Sequence, residues 1–129
     1  MKAFLFLCLF SLAFNSTAQT IELAEMDIND EGYTLLDFGV IKAKKTAKRT
    51  LILINTGTED LVISTLEEGC DCTTVKIKKR TLKPNERTAI RLKWRPISDS
   101  EFHSSVMIHS NATDYPQLWI QMEGNVEKD

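Results

Sequence analysis

Thr88–Arg95 reads TAIRLKWR, in which threonine, isoleucine, leucine and tryptophan alternate with alanine, arginine, lysine and arginine. Residues two apart share one face of a β-strand, so this run has one apolar face and one wet, cationic face. A surface helix is excluded, because its apolar positions recur every three to four residues. Trp94 falls on the apolar side and is expected at the centre of a core. The two-residue period returns in YTLLDFG (Tyr33–Gly39), LVISTLE (Leu61–Glu67), TTVKIKK (Thr73–Lys79), FHSSVMIHSN (Phe102–Asn111) and QLWIQMEGNV (Gln117–Val126). RTLILIN (Arg49–Asn55) is almost continuously apolar, as expected of a strand covered on both faces or central in a sheet. Within Phe102–Asn111 the alternation assigns Phe102, Ser104, Val106 and Ile108 to the core. His103, Ser105, Met107 and His109 take the opposite face. Pro84-Asn85 supplies a turn, proline fixing φ and asparagine tolerating a left-handed backbone. About seven strands punctuated this way predict an all-β, immunoglobulin-like β-sandwich over residues 32–127.

The beginning of the chain, MKAFLFLCLFSLAFNSTAQT, has a positive residue at Lys2 and an apolar run from Ala3 to Phe14. That run suits a signal peptide and is too short to cross a bilayer. Ser16 and Ala18 stand where a signal peptidase reads small residues, so residues 1–18 are expected to be removed before Gln19. The remainder is expected to occupy the periplasm or cell envelope, with no transmembrane segment and no access to nucleic acid. Residues 19–31 carry Glu22, Glu25, Asp27, Asp30 and Glu31, and read as an acidic, weakly ordered lead-in. From Lys42 to Arg95 fourteen basic residues stand against six acidic ones, in a chain whose formal charge is only −2. Arg87, Arg91, Lys93 and Arg95 head the candidate binding surface, a belt fit for an anionic envelope partner. Solvated faces of neighbouring strands that cancel each other's charge are the plainer account.

Several short runs resemble one exported family when taken in order: DFGVI, NTGTEDLVIS, GCDCTT, LKPNERTAIRLKW, HSNA and MEGNV. It is domain-of-unknown-function family 1573, similar to the Hydin-type immunoglobulin-like domains and common in envelope proteins of Bacteroidota. The resemblance spans Tyr33–Val126 and implies a sandwich with a binding or scaffolding role and no established reaction. The family usually has glycine between its two cysteines, where this chain has Asp71. It usually has Pro-Gly where this chain has Pro84-Asn85.

Cys70 and Cys72 are the residues with chemical potential. Loss of Cys8 with the signal would leave them as an even pair in a disulfide-permissive compartment. In a regular strand both side chains would share a face, too far apart to bond, so a disulfide demands a tight turn. The bridge would add only about 1.6 kcal/mol by loop entropy, so stability does not account for it. Three readings stay open: small structural thiols or an inert bridge, a labile disulfide, or a metal contact. In the last, Cys70 and Cys72 would hold copper or zinc with His103, Met107 or His109 as further ligands. No phosphate loop, nucleophile elbow or metalloprotease spacing is present, so the chain is expected to be non-enzymatic and without a cofactor. The expected function is a cell-envelope binding domain; copper or zinc handling is the alternative.

Overall fold

The computed structural model describes residues 19–128. The expected signal segment 1–18 lies outside the described residues. Among the described residues nine strands follow in order: β1 (Ile21–Leu23), β2 (Tyr33–Lys42), β3 (Ala47–Asn55), β4 (Leu61–Glu68), β5 (Thr73–Ile77), β6 (Thr81–Leu82), β7 (Arg87–Trp94), β8 (His103–Ser110) and β9 (Gln117–Glu127). They form a four-stranded sheet in the order β1-β3-β7-β5 and a five-stranded sheet in the order β2-β9-β8-β4-β6. The seven longer strands are those of the sequence pattern. The additional two, β1 and β6, are too short to show a period.

The alternation in β7 is realised residue for residue. Thr88, Ile90, Leu92 and Trp94 are buried, and Arg87 and Arg91 are exposed. β3 lies mid-sheet between β1 and β7, and its register sets Leu51 opposite Ile90 and Arg49 opposite Leu92. Across the interior, Val106 and Ile108 of β8 join Leu118, Ile120 and Met122 of β9 in the same core. Trp94 is fully buried and meets Phe38 edge-on, ring centroids 5.4 Å apart. Arg49 caps this pair from the rim, its guanidinium 4.8 Å above the Phe38 ring and donating to the Phe38 carbonyl.

Three sequence expectations need correction. The segment 19–31 is not uniformly a weakly ordered lead-in, because Ile21 and Leu23 are buried where β1 pairs with β3. Its acidic composition masked two apolar side chains at strand spacing. Phe102 is 56% exposed and not in the core, because β8 begins only at His103 and the alternation does not extend back to it. Gly39 does not end β2. Its left-handed backbone (φ 70°) makes a bulge, after which β2 resumes pairing with β9 at Val40. That β2–β9 pairing is parallel, whereas the other ladders are antiparallel.

Asn55, at the end of β3, is a fully buried polar residue whose side chain organises three turns. Its Nδ2 donates to the carbonyls of Glu59 (2.8 Å) and Leu82 (2.9 Å), and its Oδ1 accepts from the Gly57 N–H (2.9 Å). The Asn55 carbonyl accepts from the N–H of Asn85, which sits in the left-handed region at φ 66°. The Pro84-Asn85 turn is thereby bolted to the interior.

Candidate functional site

The cysteine segment crosses from one sheet to the other, between β4 and β5. Gly69 ends β4 by pressing against β8. Its N–H donates to the Ser105 carbonyl at 2.8 Å, and a Cβ there would lie 2.7 Å from Ser105 Oγ. Only glycine permits that approach. The chain then turns tightly, the Thr73 N–H donating to the Cys70 carbonyl at 3.1 Å. This draws the Cα atoms of Cys70 and Cys72 to 5.2 Å, against about 6.6 Å in an extended strand. The sulfurs lie at bonding distance. Beyond them, the Cys72 carbonyl accepts the Arg95 N–H at 2.7 Å and the ladder of the four-stranded sheet resumes.

The sulfurs face a set of donors. The Cys72 N–H donates to Cys70 Sγ at 3.2 Å. Thr73 Oγ1 is 3.6 Å from each sulfur, and Ser104 Oγ is 3.7 Å from that of Cys70. The two hydroxyls bond each other at 2.6 Å and are nearly inaccessible, Thr73 at 1% and Ser104 at 7% exposure. This hydroxyl pair ties β5 of one sheet to β8 of the other. Ser104 was legible in the sequence as a core-facing residue; its proximity to sulfur was not.

Cys70 and Cys72 open onto different surfaces. Cys70 lines an open groove of about 490 Å³ with Gly69, His103, Ser104, Trp119 and Glu123. Trp119 is 44% exposed, meets Tyr33 edge-on and lines both this groove and a neighbouring depression that includes Met107. Cys72 lines a depression of about 390 Å³ with Lys44, Asp71, Arg95 and Ile97.

The expected metal ligands are only partly brought together. His103, Met107 and His109 share the outer face of β8, opposite Glu123, Trp119 and Gln117 of β9. Six residue steps along the strand separate the two histidines by about 20 Å, so one ion cannot bind both. His103 lines the Cys70 groove, while His109 Nε2 lies 3.1 Å from Glu67 without the alignment of a hydrogen bond. Among the described residues, no group of three or more His, Cys, Asp or Glu is arranged to hold a metal.

The cationic face has a wider membership than the sequence suggested. Arg87, Arg91 and Lys93 point outward from β7, and cross-strand register adds Lys48 opposite Lys93 and Lys76 opposite Arg91. Like charges directly opposite repel, so these rows carry unrelieved positive potential. None of the three ion pairs among the described residues involves any of these five side chains. Arg95 stands apart. It follows the end of β7, and its Nε donates to the Lys44 carbonyl at 3.1 Å, latching the β2–β3 turn beside the cysteine loop.

Two closed sheets over one apolar core, with antiparallel ladders and a terminal parallel pair, define an immunoglobulin-like β-sandwich. The chain belongs to the family described as protein of unknown function (DUF1573), whose model matches residues 31–126. Among solved structures it is similar to a protein of unknown function from Porphyromonas gingivalis W83. The two share 19% identity at a TM-score of 0.64, over 86% of this chain and 50% of that one. The chain thus spans about half the length of that relative. It is also similar to the ASH/PapD-like domain 7 of human CEP192, at 12% identity and TM-score 0.57, over 88% of this chain and 89% of that one. The secreted serine protease VesC from Vibrio cholerae matches at 12% identity and TM-score 0.53, over 70% of this chain and 21% of that one. At these identities the likeness is one of fold alone. Comparison with curated proteins gave no match. Among the described residues, no helix is long and apolar enough to cross a membrane.

Proposed function

We propose that this chain is an exported, non-enzymatic interaction module that docks an acidic protein partner of the cell envelope on the outer face of its four-stranded sheet. The observation that carries the reading is the block of Lys48, Lys76, Arg87, Arg91 and Lys93 on three adjacent strands, free of ion pairing with the described carboxylates. Unpaired cations on a rigid, flat surface raise the local potential and accelerate encounter with an acidic partner. Export rests on the Lys2–Ala18 segment, and it would separate the chain from nucleic acid, the other common polyanion.

The test is affinity capture from a native envelope fraction with the wild-type chain and a Lys48→Glu/Arg91→Glu/Lys93→Glu variant. A stoichiometric protein should be retained by the wild type, released between about 0.05 M and about 0.5 M salt as screening shortens, and lost from the variant. A partner held equally by the variant and in high salt, or no stoichiometric partner at all, would refute the docking surface.

A further inference from the structure

The surroundings of Cys70 and Cys72 are more elaborate than a crosslink needs. A ring closed by so short a loop adds little stability by chain entropy. Yet an N–H and a buried hydroxyl pair are gathered at the sulfurs. Disulfide sulfur is a weak acceptor, whereas a thiolate gains strongly from each donor.

The donors are distributed unequally. The Cys72 N–H serves Cys70 alone. Thr73 and Ser104 hold two hydroxyl protons, and their mutual 2.6 Å bond consumes one. If Thr73 donates to Ser104, the free proton is on Ser104, within reach of Cys70 only. If Ser104 donates to Thr73, the free proton is on Thr73, within reach of either sulfur. Cys70 can therefore be served in both arrangements and Cys72 in one. Negative charge is better accommodated on Cys70.

We infer that Cys70–Cys72 is a thiol–disulfide exchange site with a fixed polarity, in which Cys72 is the sulfur attacked and Cys70 is the leaving thiolate. An incoming thiolate, from a protein cysteine or a small thiol, enters the depression lined by Lys44, Arg95, Asp71 and Ile97. Two cations against one carboxylate favour its approach, and Ile97, 65% exposed, offers an apolar contact for the rest of the substrate. The substrate sulfur bonds to Cys72 Sγ as the Cys70–Cys72 bond breaks, and the electron pair leaves on Cys70 Sγ. A second thiolate of the same class then attacks the substrate sulfur of the mixed disulfide. This releases the oxidised substrate disulfide and leaves both cysteines reduced; run backwards, the same steps reduce a substrate disulfide.

The experiment uses the purified full chain. The reduced protein is alkylated with iodoacetamide at pH 7, and modification of each cysteine is followed by peptide mass mapping. Cys70 should react about threefold faster than Cys72, because one additional strong donor raises the thiolate fraction and the lower nucleophilicity of the stabilised thiolate offsets about half of that gain. Ser104→Ala leaves the Thr73 proton shared between the sulfurs and should narrow that ratio, whereas Thr73→Val removes the hydroxyl within reach of Cys72 and should keep or widen it, the circular dichroism of the sandwich being kept in both. In the second arm the oxidised chain is mixed with reduced glutathione, acid-quenched and mapped, and the glutathione adduct should sit on Cys72 with Cys70 free. Faster alkylation of Cys72, equal rates, a ratio unmoved by Ser104→Ala or narrowed by Thr73→Val in the folded variants, glutathione found on Cys70, or no adduct would each overturn the proposal. Neither arm depends on the cationic face, so the docking surface stands or falls separately.

Discussion

Replacing Asn55 with alanine should be among the costliest single changes outside the apolar core. The side chain is fully buried and makes three hydrogen bonds, to the Glu59 and Leu82 carbonyls and from the Gly57 N–H. Alanine cannot replace any of them. The bonds to Leu82 and Gly57 are buried, and that to Glu59 is only partly so. Glu59 is exposed, so its carbonyl can turn to water. The other two groups are left unpaired, at about 1–3 kcal/mol each. Allowing for local relaxation, the expected destabilisation is about 2–5 kcal/mol, a large share of the roughly 5–15 kcal/mol that holds a domain folded. Equilibrium urea unfolding should show a lower midpoint with an unchanged slope, since the exposed surface is the same. Asn55→Asp should be no better, because it keeps the Gly57 bond but directs a carboxylate at two carbonyl oxygens. A loss below about 0.5 kcal/mol for alanine would mean that the buried groups find other partners, and the hydrogen-bond argument would fail.

Trp94→Ala should cost about 3–5 kcal/mol in the same assay. Trp94→Phe should cost less than half as much, since it also removes an indole N–H that has no partner among the described residues; equal losses would contradict this. Gly69→Ala should destabilise by about 1–3 kcal/mol through its clash with Ser105, and proteolysis should then cut faster at the cysteine loop. The Glu86 carboxyl is held below the usual range by the Lys79 ammonium at 2.8 Å and by the Lys83 N–H. A lowered folded value favours the native state above the unfolded value, and the advantage disappears as pH falls through the folded one. Glu86→Gln should therefore lower the urea midpoint at neutral pH and leave it unchanged in strong acid. A midpoint difference that persists in strong acid would contradict the assignment.

The architecture was readable in this chain because a strand with one buried face writes its geometry directly into alternate residues. Thr88–Trp94 and Leu118–Met122 name their own inner faces, and the left-handed turn at Asn85 follows from local chemistry. Short elements lacked that signal. β1 offers two apolar residues inside an acidic stretch, and its place is decided by the edge of β3 that it covers. The parallel pairing of β2 with β9 and the bulge at Gly39 likewise depend on which strands meet, which no local pattern encodes. The same division runs through the site. Cys70, Cys72 and the cations of β7 stand out as residue types, but Ser104 reaches the sulfurs only because β8 crosses beneath the turn. Lys48 and Lys76 join the belt only through cross-strand register. Periodicity is a property of one strand with its solvent, so it is carried in one dimension; a site is made by distances between strands, and those exist only once the sheets have closed on each other.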